Sequence, residues 1–207
     1  MLDQKIDNLF NFKEKIILIT GSSGQIGSSF CKLFLDLGAA DGYFALGVLY
    51  NNIFGKTVAF EKNNNTRIQL AKNSEMNLLE DRISIYKEAN YEVIKALVDQ
   101  EIIHPNQTLI LCDIEGGEYN LFDKKFIDLF KTSFFIVEIH SYNKVLANKK
   151  EDFIKKVSNN FKCQIIFDGY KRYENLEELH DYGDNDRLLI TSEGRAEMGQ
   201  WILLSPK

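Results

Sequence analysis

Residues Phe34–Gly42 read FLDLGAADG. An apolar run carrying one acid, Asp36, breaks into a turn held by Gly38 and Gly42, with Asp41 between them. Glycine permits backbone angles and close approaches that a side chain forbids, so the pattern predicts a strand feeding a tight, ligand-cradling turn. Tyr43 to Ile53 follows with the apolar face of a helix that stops near Gly55, and Thr57 to Glu61 is a strand ending on an acid. Glu61 stands 19 residues beyond Gly42, a separation that lets a strand-end carboxylate hold the ribose of a bound nucleotide.

The alternation continues outward from this unit. Asn63 to Thr66 offers helix caps, and Arg67 to Leu78 predicts a helix with Ile68, Ala71 and Leu78 inward. Arg82 to Tyr86 is a short strand, and Val93, Ile94, Leu97 and Val98 mark the next helix. Thr108 to Ile114 is a continuous apolar strand broken by Gly116-Gly117. Tyr119 to Phe130 reads as one helix with Phe122, Phe126 and Phe130 in register, followed by a strand at Phe134 to Ile139. Phe153, Ile154, Val157 and Phe161 mark a further helix, and Cys163 to Phe167 and Gln200 to Leu204 the last strands. Strands alternating with helices at this spacing predict an α/β fold, a mostly parallel sheet with helices on both faces and ligands beyond the carboxyl ends of its strands. The span Asp168 to Gly199 is long for a connection; it holds a candidate helix (Glu174 to Leu179) and strand (Leu188 to Thr191), and long loops beside a site often serve as lids.

Composition narrows the classes. The 207 residues suit one domain, and 44% apolar with 27% charged residues is ordinary for a soluble globular chain. A net charge of −5, without a basic track, argues against a nucleic-acid partner. Cys31, Cys112 and Cys163 have no metal-ligand spacing, and the last two lie in apolar runs, as buried free thiols of a reducing compartment would. The first ten residues carry acids where a signal peptide carries basic residues, and no run approaches the roughly 20 apolar residues that span a bilayer. These readings predict a cytoplasmic protein with no membrane partner.

Two nucleotide loops compete for the same chain. Lys15 to Thr20 (KIILIT) enters TGSSGQIG (Thr20 to Gly27), in which Gly21, Gly24 and Gly27 match a TGxxGxxG pattern after a strand. This beginning resembles a short-chain dehydrogenase/reductase or sugar epimerase, but the likeness ends by about residue 39. Such a family calls for a strand-end acid about 20 residues past the turn, whereas Glu61 lies 34 beyond Gly27, and the one YxxxK match, Tyr91 to Lys95, sits on an ordinary helix. From about Leu35 onward the chain resembles the FkbM-type S-adenosylmethionine (SAM)-dependent methyltransferases. The matching blocks are DLGAADGYFAL (Asp36 to Leu46), VAFEKN (Val58 to Asn63), LILCDIEGGE (Leu109 to Glu118) and IVEIH (Ile136 to His140). That resemblance implies a Rossmann-like class I methyltransferase fold with a final antiparallel strand, SAM as cofactor, and O-methylation of a small-molecule or sugar hydroxyl. The dehydrogenase pattern makes Gln25 to Leu37 a helix, whereas the methyltransferase pattern makes about Lys32 to Leu37 the first strand. The conflict suggests a dehydrogenase-like segment, residues 1–30, joined to a methyltransferase domain, residues 31–207. The alternatives are an NAD(P)-dependent dehydrogenase or epimerase fragment, and an inactive fusion product.

By the resemblance, Asp36, Gly38 and Gly42 shape the pocket for the methionine part of SAM, Glu61 takes the ribose hydroxyls, and Glu88 and Ala89 lie near the adenine. Asp113 would orient the cofactor and Glu115 the cofactor or substrate. Glu138 and His140, two apart on a strand, share a face; His140 could deprotonate an acceptor hydroxyl, with Glu138 orienting it. Nothing in the spacing requires a metal.

Overall fold

The computed structural model describes residues 32–140, 144–167, 179, 181–183, 185–186 and 200–207. The dehydrogenase-like loop and the candidate elements at Glu174 to Leu179 and Leu188 to Thr191 lie wholly or largely outside these residues.

The disputed segment is a strand. β1 (Leu33–Leu37) is buried along its whole length, so the helix required by a dehydrogenase reading of residues 25–37 is not formed at its end. Leu33, Leu35 and Leu37 face one half of the core, and Phe34 faces the other, where α1 (Tyr43–Tyr50) packs. A strand covered on both faces has no polar side to spare; Asp36 is therefore 1% exposed.

The remaining elements follow in alternation: β2 (Lys56–Phe60), α2 (Asn64–Met76), β3 (Ile83–Tyr86), α3 (Tyr91–Asp99), β4 (Thr108–Cys112), α4 (Glu118–Leu121), α5 (Lys124–Leu129), β5 (Phe134–Ile139), α6 (Lys144–Val157), β6 (Phe161–Phe167) and β7 (Gln200–Pro206). The strands form one sheet of seven in the order β3-β2-β1-β4-β5-β7-β6. β1 pairs in parallel with β2 and β4, while β7 runs antiparallel between β5 and β6. The order reverses at β1, leaving a crevice beyond the carboxyl ends of β1 and β4, where open α/β sheets bind ligands. The expected α/β architecture, with its C-terminal antiparallel strand, is thus the one observed.

Three local expectations change. Ile68 and Leu78 are 48% and 84% exposed; α2 turns Leu70, Asn73 and Ser74 inward instead, and Leu78 lies past its end at φ 56°. The helix expected over residues 119–130 is two helices, because the Asp123 carboxylate caps α5 by accepting from the Phe126 N–H at 2.8 Å. Phe161 opens β6 rather than closing α6. It joins Phe122, Phe126, Phe135 and Phe153 in a ring-on-ring cluster with centroid separations of 5.1 to 6.2 Å. Among the described residues no helix is long and apolar enough to cross a membrane.

Candidate active site

The turn after β1 is built without side-chain room. Gly38 adopts φ 92°, and a Cβ there would sit 1.8 Å from the backbone oxygen of Asp113. Gly42 adopts φ 103°, and its Cβ would meet Leu70 Cδ1 at 2.5 Å. Both angles favour glycine, and close approach of β1 to β4 needs the first one bare. Ala40, at φ 47°, holds the strained position between them. The turn is held by the N–H groups of Gly38 and Ala39, each donating to the Phe60 carbonyl at 2.9 Å, and by the buried Asn73, whose Nδ2 donates to the Asp41 carbonyl at 2.8 Å.

Glu61, at the end of β2, accepts from the Ala40 N–H at 3.0 Å through Oε2 and from the Asn63 N–H at 2.6 Å through Oε1. A carboxylate offers about four acceptor positions, so two remain for a ligand. The Asn63 side chain meanwhile caps α2 by accepting from the Asn65 and Thr66 N–H groups. One short stretch thus starts a helix and aims the acid beside it.

Beyond these strand ends lies a cleft of about 710 Å³, open to solvent. Of the residues singled out from the sequence, Gly38, Glu61, Glu88, Ala89, Asp113 and Glu115 line it. Asp36 and Gly42 do not; they shape the turn from below. Glu88 forms an ion pair with Lys62 at 2.8 Å across the mouth, which lowers the Glu88 pKa and raises that of Lys62. Lys62, Thr66, Lys87, Asn120 and Asp123 also line the cleft and were not anticipated. Their placement follows from strand order, which no local pattern encodes.

The other end of the cleft is acidic. Asp113 leaves β4 with its N–H on the Leu37 carbonyl at 2.9 Å. Burial pushes its pKa up, and the hydrogen bond and charge of Glu138 push it further. His140 stands behind the cleft wall, with Nε2 at 3.6 Å from Asp113 Oδ1 and 3.4 Å from Glu115 Oε2. Its Nδ1 lies 3.2 Å from Oε1 of Glu118, the wholly buried acid that ends the LILCDIEGGE block and has no local signature of a role. Burial alone pulls the His140 pKa down; Glu118, Glu138 and Asp113 together more than reverse this and leave it raised. Glu138 acts on the ring through its charge, and Glu118 Oε1 lies at hydrogen-bond distance of Nδ1. Asp113, Glu115 and His140 bring one ligating atom each within 4.8 Å of one another, a spacing that a cation or a shared proton could fill.

Asp36 sits beneath the turn. Burial, first, and the charge of Asp113, second, raise its pKa to about 8; the Ala45 backbone N–H opposes the shift yet falls short of hydrogen-bond geometry.

No protein-family model and no curated protein matches the sequence. Solved structures do match the fold. A SAM-dependent O-methyltransferase from Thermotoga maritima aligns with 98% of this chain and 71% of its own at a TM-score of 0.58 and 15% identity. The M1A22 tRNA methyltransferase of B. subtilis aligns with 93% of this chain and 68% of its own, at a TM-score of 0.53 and 12% identity. Precorrin 8w decarboxylase from Methanobacterium thermoautotrophicum aligns with 86% and 83%, at 0.54 and 13%. The chain has the Rossmann-like fold of SAM-dependent methyltransferases. At such identities the likeness speaks for the fold alone, and the reaction must be argued from the site.

Proposed function

We propose that the chain is a SAM-dependent methyltransferase of the FkbM type that methylates a hydroxyl group on a small molecule or sugar. Residues 31–207 would form its catalytic domain, with residues 1–30 a dehydrogenase-like extension. The observation that carries this reading is the pairing of a glycine turn too tight for a Cβ with Glu61, a strand-end carboxylate that keeps acceptor capacity toward the cleft. The residues fit the cofactor: Glu61 would accept from the two ribose hydroxyls, Ala89 and Glu88 would flank the adenine, and Gly38 and Asp113 would border the methionine part. Bound SAM would supply an activated methyl group on a sulfonium, which passes to the acceptor oxygen as the carbon–sulfur bond breaks and a neutral thioether is left.

The chain's part is to position the acceptor and take its proton. Asp113 and Glu115 stand between the cleft and Nε2 of His140. The acceptor hydroxyl gives its proton to Asp113, which passes it to Nε2, and His140 retains it while the new O–C bond forms. Glu138 raises the proton affinity of Asp113 to suit the relay, and Glu115 orients the acceptor.

A net charge of −5 and the acidic end of the cleft favour a small hydroxyl compound over a polyanion. The likeness to a tRNA methyltransferase supports RNA as the second reading. Thermal melting with the product S-adenosylhomocysteine (SAH) and with NAD(P)H tests the cofactor. Stabilisation by SAH that is lost in Glu61→Ala is expected; stabilisation by NAD(P)H with SAH silent would overturn the reading, and silence toward both would point to an inactive fusion. Salt-dependent retention of tRNA at 150 mM salt would replace the small acceptor with RNA.

A further inference from the structure

We infer that Glu118 is a positioning residue for His140, holding the imidazole by Nδ1 and turning Nε2 toward Asp113, Glu115 and the cleft. The inference rests on the methyltransferase reading for its purpose, though not for its geometry. Glu118 begins α4, directly after the Gly116-Gly117 turn, and is wholly buried. Its Oε1 meets two atoms of His140, the ring Nδ1 at 3.2 Å and the backbone N at 3.3 Å. Its Oε2 is buried and has no hydrogen-bond partner among the described residues.

A wholly buried carboxylate is an expensive way to join a helix to a strand. Tyr119 already makes that join, its hydroxyl donating to the His140 carbonyl at 2.7 Å. An amide in place of Glu118 could bond the same backbone N–H without burying a charge. What only the ionised acid supplies is a negative charge on the imidazole, together with a choice of tautomer. A carboxylate is a pure acceptor, so Nδ1 must carry the hydrogen, and in the neutral ring Nε2 is left as the proton-accepting atom. That atom faces the cleft wall, at 3.4 and 3.6 Å from the two carboxylates that border the cleft. Among the described residues, the charged groups around the ring are Asp113 and Glu115 ahead of α4, Glu118 on it, and Glu138 on β5. An imidazolium carries a hydrogen on both nitrogens, so all four acids favour the charged ring; in the neutral ring the hydrogen-bond contact of Glu118 at Nδ1, 3.2 Å against 3.6 and 3.4 Å at Nε2, favours the Nδ1–H form.

The chain has three histidines, so long-range ¹H–¹⁵N spectra of the whole protein resolve each ring, with His140→Gln giving the assignment. In the unaltered protein the neutral His140 ring is expected as the Nδ1–H tautomer, with a titration midpoint above the ordinary 6.5. Glu118→Gln should lower that midpoint by about one unit or more, leave the thermal shift with SAH unchanged, and move the acidic limb of the kcat profile down in pH without changing KM for SAM. An Nε2–H tautomer in the unaltered protein, or an unmoved midpoint in Glu118→Gln, would overturn the inference. If Glu118→Gln does not fold, the tautomer of the unaltered protein decides alone. The spectra need neither cofactor nor acceptor, so a chain blind to SAH would sink the methyltransferase reading while leaving this result standing.

Discussion

Asp36 is buried at a cost to stability that depends on pH. In the unfolded chain its carboxyl titrates near 4, in the fold near 8. The folded protein therefore holds a proton that the unfolded chain releases, and this group's contribution falls as pH rises from about 4 to about 8. Stability from this group is greatest below the unfolded value, and at pH 7 the burial costs on the order of a few kcal/mol. Asp36→Asn should accordingly melt higher than the parent at pH 7 to 8, with the difference vanishing near pH 4, while SAH stabilises it less. Melting curves across that range check the sign, and equal melting at pH 7 would refute the burial argument. Gly38→Ala makes the opposite demand. Its Cβ would land 1.8 Å from the Asp113 backbone oxygen at a φ that only glycine adopts freely, so a loss of about 3 kcal/mol or more is expected in chemical denaturation. The glycine turn and the acid that ends the next strand are visible in the spacing because a turn's geometry is local. Glu118 could not be weighed that way: its role depends on meeting His140 across 22 residues of chain.

At the level of elements, capping explains more than periodicity does. Asn63 satisfies two otherwise orphaned N–H groups of α2, and its own N–H holds Glu61. Asn63→Ala should cost about 1 kcal/mol in urea unfolding, as cap removals do, yet leave SAH affinity nearly intact, because the Glu61 contact is made by the backbone. Asp123 caps α5 in the same way, which is why a phenylalanine register that reads as one helix is two. The register still had meaning: Phe122, Phe126 and Phe130 are all fully buried around Phe135. Phe122 contacts the rings of Phe126, Phe135 and Phe153, and Phe122→Ala should cost about 3 to 5 kcal/mol. The inward face of α2 was misjudged for a related reason. The polar Asn73 is 1% exposed because it reaches the Asp41 carbonyl, whereas Ile68 faces out; tertiary hydrogen bonding, not hydropathy, chose that face.

For the whole molecule, the strand order β3-β2-β1-β4 places the ends of four strands along one cleft, with Glu61 at one end and the carboxylate–histidine group at the other. A ligand that bridges these ends ties the sheet's halves together. Saturation with SAH at about 100 times its dissociation constant should stabilise the fold by about 2.7 kcal/mol, a rise of roughly 5 to 10 °C for a chain of this length. An unshifted melt at that excess would contradict the cleft assignment.

The alternation of strand and helix, the glycine turn and the strand-end acid were legible along the chain, because each depends on residues a few positions apart and on periodicities of 2 and 3.6, whereas the antiparallel course of the last strand was implied only by the family resemblance. Folding had to choose among patterns that the chain carries in conflict. Residues 33–37 are compatible with either a helix or a strand, and pairing to both β2 and β4 makes them a strand. Folding also brings Glu118, His140, Asp113 and Glu138 within reach of one another, since strand order, not sequence distance, sets which charges share a low-dielectric space.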